Sequence, residues 1–254
     1  MRISIRLSGA EPEMVLAQAV GDCHAQLLDI PRATGANIYD VVRYDLESRQ
    51  QEEDGISYRM LEVVEPSGYR AYLTWAVIHK PRQFHQWRSK IQRKQIVIQV
   101  GEWVNRRVRH LIIALPPDLS ALEALVLFNR HSAMSEIICP LLAAHANDLD
   151  RAKSDLERTF AWGAPKAELT LAVAEAFEQM KRLDEAMPFW ERLAHDLMPD
   201  SASMRERIAI SYARLGAYPQ AAHEFDYAAF LTEEPDHRRR LEQARDLMWK
   251  RSKI

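Results

Sequence analysis

Three alanines in the C-terminal half of the chain lie 34 and 35 residues apart, and each closes a similar phrase. The phrases are Asp148-Leu149-Asp150-Arg151-Ala152, Lys181-Arg182-Leu183-Asp184-Glu185-Ala186 and Gly216-Ala217-Tyr218-Pro219-Gln220-Ala221. A period of this length is typical of stacked helix pairs, in which each repeat is one helical hairpin. The spacing therefore predicts an all-α C-terminal half and favours a protein that binds proteins or peptides.

The sequence predicts that this helical domain begins just after a pair of prolines. Pro116-Pro117 ends a strand pattern, and Asp118 or Ser120 can cap the next helix. No later segment is typical of a strand. The predicted helices span 119–129, 134–146, 148–162, 166–180, 183–197, 201–215, 219–231 and 237–251. We therefore predict two domains, 1–116 and 118–254, with a capping helix near 237–250.

Two copies of the repeat place small and aromatic residues at matching points. One copy has Ala174, Phe177, Ala186 and Trp190, and the next has Ala209, Tyr212, Ala221 and Phe225. Small residues let helix axes approach to about 8–10 Å, and aromatic rings fill the adjoining groove. The pattern resembles the tetratricopeptide repeat (TPR) family of helix hairpins. The copy around Ala152 departs from it, because Pro140, Ala143 and Leu156 take the small and the two aromatic positions.

The resemblance implies that the first helix of each pair lines a concave groove that binds a partner. The positions carried over are Glu168, Leu171, Glu175, Glu178 and Gln179 in one repeat, and Ser203, Glu206, Ile210, Ala213 and Arg214 in the next. The lysine and asparagine pattern with which chaperone-binding members hold a C-terminal carboxylate is missing. So many glutamates favour a basic or mixed peptide, although they are also compatible with ordinary solvated helix surface.

Residues 1–116 are predicted to form an α+β domain, an antiparallel sheet with one or two helices. The predicted strands span 2–7, 38–44, 57–64, 70–78, 96–100 and 108–115, and the predicted helices span 11–28 and 83–94. The turn signal Glu65-Pro66-Ser67-Gly68 predicts that strands 57–64 and 70–78 pair as a hairpin. The polar segment 47–55 is predicted to be an exposed loop.

The net charge of −2 is unevenly distributed. The stretch 80–109 carries nine Lys or Arg residues and one acid, Glu102, and its candidate basic face is Arg88, Lys90, Arg93, Lys94, Arg106 and Arg107. Phe84, Trp87 and Trp103 are interleaved with these cations, so nucleic acid is one candidate partner. An acidic protein surface is a second, and solubility alone is a third. We expect Trp103 to belong to the core.

Motifs for chemistry are missing from the sequence. It has no GxSxG, Walker A, GxGxxG, HExxH or CxxC pattern, so we predict no metal or cofactor. The N-terminal residues lack a signal-peptide core, and no apolar run approaches membrane-spanning length, so we expect a cytoplasmic location. The leading interpretation is a non-enzymatic adaptor, assembly factor or accessory subunit with a protein or peptide partner. The alternatives are a nucleic-acid-associated protein and an enzyme with an unrecognised active site in the N-terminal domain.

Overall fold

The computed structural model describes residues 2–7, 13–29, 31, 36–52, 55–79, 81–130 and 135–253. The chain divides into two compact units, Met1–Cys139 and Pro140–Ile254. The first unit therefore includes a helix and a strand that follow Pro116-Pro117, the point where the sequence predicts the division.

Five consecutive strands close into a barrel at the start of the first unit. They are β1 (Arg2–Leu7), β2 (Glu13–Ala19), β3 (His24–Leu27), β4 (Val41–Glu52) and β5 (Gly55–Glu65). Each strand pairs antiparallel with the next, so an odd number leaves β1 and β5 pointing the same way, and they close the barrel as a parallel pair. Small and branched side chains fill the interior beside Tyr44 and Tyr58, whose rings are 4.8 Å apart.

The predicted helix 11–28 is wrong, because β2 and β3 occupy its described part. Val15 and Ala17 are buried in the barrel while Met14 is exposed, which is the two-residue alternation of a strand. Residues 14–17 are all apolar, so periodicity alone could not separate helix from strand there. The predicted loop 47–55 is also mostly strand, since β4 continues to Glu52 and β5 begins at Gly55.

A second, four-stranded antiparallel sheet completes the first unit. Its strands are β6 (Arg70–Ile78), β7 (Val97–Trp103), β8 (Val108–Leu115) and β9 (Ser135–Ile138), in the order β7-β8-β6-β9. Helix α1 (Pro81–Gln92) packs on β7, and α2 (Ala121–Asn129) contacts β9. Trp87 of α1 is fully buried, stacked on Phe84 at 5.5 Å and 6.3 Å from Phe128 of α2.

The predicted α+β domain with an antiparallel sheet and one or two helices is therefore wrong. The unit contains a closed barrel and a separate sheet, and β9 lies where only helix was predicted. The predicted hairpin is wrong as well, since β5 pairs with β4 and β1 while β6 pairs with β8 and β9. Alternation identifies a strand but does not name its neighbour.

The turn signal that suggested this hairpin instead connects the barrel to the sheet. Buried Asp40 holds the connection, because its Oδ1 accepts a hydrogen bond from the backbone N–H of Ser67 at 2.6 Å and its Oδ2 accepts one from Asn37 N–H at 2.6 Å. The Ser67 hydroxyl donates to the carbonyl of Ile38 at 2.7 Å. These bonds satisfy a carboxylate that would otherwise be costly to bury.

The second unit is helical, as predicted for this half of the chain. Its helices are α3 (Pro140–His145), α4 (Leu149–Phe160), α5 (Lys166–Gln179), α6 (Leu183–Arg192), α7 (Ala202–Arg214), α8 (Tyr218–Leu231) and α9 (Pro235–Arg251). One π-helical turn, Leu193–Leu197, continues α6. The pairs α3–α4, α5–α6 and α7–α8 each pack together, α3 and α4 contact α5, α6 contacts α7, and α9 packs on α8. Each hairpin therefore rests on the next.

The turn inside each hairpin has the same geometry in all three pairs. The residues at the turns with positive φ are Asn147 (63°), Lys181 (61°) and Gly216 (78°), which repeat the 34- and 35-residue spacing. In each pair the next backbone N–H reaches back five residues, from Asp148 to Ala143, Arg182 to Phe177 and Ala217 to Tyr212, each at 2.9 Å. This is the bond of a Schellman helix end. The first pair, whose sequence departs most from the pattern, makes the same turn.

The packing positions repeat with the turns. The small residues that face the partner helix, Pro140, Ala174 and Ala209, and the three alanines Ala152, Ala186 and Ala221 are all buried. Leu156, Trp190 and Phe225 follow four residues after those alanines and are also buried. The same spacing thus appears in sequence, turn geometry and core.

Candidate functional site

The first helices of the second and third pairs, α5 and α7, are joined through one carboxylate. Glu178 on α5 accepts a hydrogen bond from Arg207 Nη2 at 2.9 Å and another from Arg214 Nη1, both on α7. Its side chain is only 14% exposed, and the Arg207 guanidinium lies 5.1 Å from the centroid of Trp190. These contacts bring two of the predicted groove residues, Glu178 and Arg214, together. We call the side of α5 and α7 that carries them the α5–α7 face.

Two other glutamates on this face have no ion-pair partner within the described part of the chain. Glu168 and Glu175 are exposed and lie seven residues apart on α5. Two helical turns separate them by about 10.5 Å on the same side. The half-buried Leu171 lies between them on that side. The result is an apolar position flanked by two free carboxylates.

The remaining predicted groove residues divide between solvent and structural bonds. Gln179 on α5 is exposed, and Ile210 on α7 is 41% exposed. Glu206 is committed elsewhere, with its Oε2 3.0 Å from Nε2 of His237 on α9. The acidic groove predicted from the sequence therefore has fewer available carboxylates, because Glu178 and Glu206 already have partners.

Arg207 is the residue of this face that sequence reasoning missed. It lies seven residues before Arg214, so both project from one side of α7, and this spacing was a signal that could have found it. Two guanidiniums on one carboxylate leave a positive excess around Glu178. Glu168 and Glu175 add negative charge along α5, and Glu175 lies one turn from Glu178, so the α5–α7 face carries both signs of charge.

An ionic cluster around the buried Glu224 fixes α7 against its neighbours. Glu224 on α8 accepts a hydrogen bond from Arg205 Nη1 at 3.0 Å, and its other oxygen is 3.0 Å from His195 Nε2 in the π-helical turn. Nearby, the hydroxyl of Tyr212 donates to Glu191 Oε1 at 2.6 Å. Burial raises the pKa of Tyr212 above its ordinary value, and the hydrogen bond to Glu191 raises it further. These contacts hold the α5–α7 face in place.

The predicted basic residues lie at two ends of the α1–β7 segment. Arg88 and Lys90 are on α1, Arg93 and Lys94 follow its last turn, and Arg106 and Arg107 form the β7–β8 turn. Of the interleaved rings, Phe84 and Trp87 are buried, whereas Trp103 is 49% exposed. The expectation that Trp103 belongs to the core is wrong.

The first unit also has a cleft of about 350 Å³ over the second sheet. Leu73, Ile112 and Pro31 give it an apolar lining, and Glu102 and His110 are the titratable groups at its wall. Its size lies at the lower end of the range for small-molecule sites.

No protein-family model matches the chain, and no curated protein matches it. Among the solved structures that are similar to part of the chain are the following two. A hypothetical protein from Neisseria gonorrhoeae is 13% identical over 54% of this chain and 90% of its own, with a TM-score of 0.31. A structure described as MamA MSR-1 C2 is 19% identical over 52% of this chain and 88% of its own, with a TM-score of 0.26. Scores this low establish neither a shared fold nor a function. In the described part of the chain, every helix is too short or too polar to cross a bilayer.

Proposed function

We propose that this protein is a non-enzymatic adaptor or accessory subunit whose TPR-like unit binds a peptide or partner helix on the α5–α7 face. The observation that carries the proposal is the pair of free carboxylates, Glu168 and Glu175, beside Leu171 on a face held by ion pairs. The proposal includes a cytoplasmic location and a protein complex as the setting.

The repeat architecture supports this function. Three hairpins with the same turn give a stack in which each first helix faces the same way, and such stacks commonly present an extended binding surface. The helix-to-helix ion pairs at Glu178 fix the surface before a partner arrives, which lowers the entropy lost on binding.

The charge on the face supports a particular kind of partner. Glu168 and Glu175 can each pair with a cation, while Leu171 and Ile210 can contact an apolar side chain. A segment with Lys or Arg on both sides of an apolar residue complements this arrangement. An acidic segment would meet the like charges of Glu168 and Glu175, and it would be disfavoured.

The proposal is tested with the double variant Glu168→Lys and Glu175→Lys. Both residues are exposed and unpaired in the described chain, so the change reverses charge without breaking an internal bond. We do not choose Glu178, because its loss would leave two arginines unpaired. The tagged wild-type chain, this double variant and a control variant are each used to recover partners, and quantitative mass spectrometry identifies the proteins recovered. The affinity of each form for the recovered partner segment is then measured.

The matched control is Glu233→Lys with Glu242→Lys, which makes the same charge change at two exposed positions on another part of the helical unit. We expect the control to bind like the wild type and the α5–α7 variant to bind at least tenfold more weakly. Equal binding by both variants would show that the partner does not use this face. A partner segment without cations would also contradict the proposal.

A further inference from the structure

Among the described residues, the cations of the basic stretch have no acidic partner, whereas many arginines elsewhere in the chain have one. Elsewhere ion pairs are common, as in Arg59 with Asp45, Arg205 with Glu224 and Arg245 with Asp226. Within the described residues, no carboxylate lies at ion-pair distance from Arg88, Lys90, Arg93, Lys94, Arg106, Arg107 or Arg109. Positive charge that the fold leaves unneutralised attracts an anionic partner.

The β7–β8 turn holds part of this charge in a fixed geometry. The Asn105 Oδ1 accepts hydrogen bonds from the backbone N–H groups of Arg107 at 2.9 Å and Val108 at 3.0 Å. The Ile78 N–H donates to the carbonyl of Arg107 at 2.7 Å, which places the turn beside the end of β6 and the entry to α1. The side chains of Arg106 and Arg107 are both exposed on this hydrogen-bonded turn.

An exposed aromatic ring lies next to these arginines. Trp103 is paired across the strands with Arg109, whose guanidinium carbon is 5.1 Å from the ring centroid. Arg109 Nε donates to the carbonyl of Gly101 at 2.8 Å, which fixes the cation against the ring. A tryptophan that is half exposed in this way can accept a planar group.

The other cations lie at the C-terminal end of α1. This helix packs on β7 and is about 18 Å long, so these cations and those of the β7–β8 turn form two groups at the two ends of the α1–β7 segment. Lys90 lies on its last turn, and Arg93 and Lys94 directly follow it, all three exposed. We call Trp103, Arg106, Arg107 and Arg109, together with these three cations, the basic strip.

We propose that the basic strip binds single-stranded nucleic acid, with a base stacked on Trp103 and phosphates contacted by the arginines and lysines. A free strand presents unstacked bases and regularly spaced phosphates, which match an exposed ring and two groups of cations that one strand can span. An acidic protein segment matches the charge but makes no use of the exposed ring. The proposal is independent of the α5–α7 face.

The test measures binding of the full-length protein to a fluorescent 15-nucleotide oligo(dT) and to the corresponding oligo(U) by anisotropy across salt concentrations. Six phosphate contacts give a slope of log affinity against log salt of about −4, or roughly 250-fold weaker binding at 200 mM than at 50 mM salt. Arg106→Ala with Arg107→Ala should flatten the slope by about 1.4. Trp103→Leu should weaken binding about 5- to 150-fold, and Trp103→Phe should restore most of it.

Two controls separate this site from general charge and from the proposed adaptor function. Arg240→Ala with Lys250→Ala removes two exposed cations from the helical unit and should leave binding unchanged. The Glu168→Lys and Glu175→Lys variant should bind the oligonucleotides at least as well as the wild type. Lack of binding at 50 mM salt would overturn the proposal. Equal displacement by polyglutamate, with no effect of Trp103→Leu, would do so too and would identify an acidic protein as the partner.

Discussion

Residue 216 is where the repeated helix turn can be tested most directly. Gly216 has φ of 78°, and a methyl group added there would meet no atom within 4 Å. Gly216→Ala therefore changes only the cost of the left-handed backbone. That cost is about 1–2 kcal/mol for an alanine, and the smaller entropy of the unfolded alanine chain offsets about 0.4–1 kcal/mol of it. We expect a net loss of about 1 kcal/mol.

Lys181 occupies the equivalent turn with φ of 61°, so the native chain already carries the free-energy cost of a left-handed, non-glycine residue there. Lys181→Gly should therefore stabilise the protein by about 1 kcal/mol, the opposite sign at the matching position. Asn147 occupies the third turn, and because asparagine tolerates this conformation, Asn147→Gly should change stability little. The assay is urea unfolding of the full chain followed by far-UV circular dichroism, where the helical unit dominates the signal.

Gly21→Ala is the matched control, because the same methyl there would meet only ordinary contacts at 3.7 Å and needs no positive φ. The free energy of unfolding of Gly21→Ala should not fall by the about 1 kcal/mol expected for Gly216→Ala. If Gly216→Ala were neutral, or if Lys181→Gly destabilised the chain, the three turns would not share one geometry. The repeat, and with it the aligned α5–α7 face, would then be refuted.

Three further changes test the packing of the helical unit. Trp190→Ala removes a buried ring and should cost about 3–5 kcal/mol in urea unfolding. Glu224→Gln leaves Arg205 buried without its anion and should cost about 3–5 kcal/mol, with double-mutant cycles giving the coupling. The raised pKa of Tyr212 stabilises the fold fully below the unfolded value of about 10, and this stability is lost as pH rises toward the folded value. Tyr212→Phe should therefore show a smaller loss of unfolding free energy between about pH 9 and 11.

The sequence was sufficient for the helical half because its information there is local. Helix boundaries depend on turns and caps within a few residues, so the predicted helix 166–180 corresponds to α5 and 201–215 to α7. The exception is 134–146, whose first part is β9. This short strand pairs with β6, about 60 residues earlier in the chain, and nothing local in its four residues marks that partner.

The barrel shows even more strongly that a local sequence pattern does not identify a distant strand partner. Closing five strands requires β1 to pair with β5, and the contact between Ile5 and Tyr58 joins segments that no local pattern relates. Ion pairs have the same property, since Glu178 meets Arg207 and Arg214 only after two hairpins have stacked. Sequence reasoning therefore overestimated the free acid on the α5–α7 face.

Charge pairing provides the physical distinction between the two candidate surfaces. On the α5–α7 face the ion pairs at Glu178 hold neighbouring helices together, and Glu168 and Glu175 have no ion-pair partner among the residues that the structure describes. Selectivity there therefore depends on two carboxylates and an apolar contact. On the basic strip the cations have no acidic partner among the described residues, so long-range attraction should dominate and should weaken with salt. A weak salt dependence for the first surface and a steep one for the second is therefore expected, and it assigns each ligand to its surface.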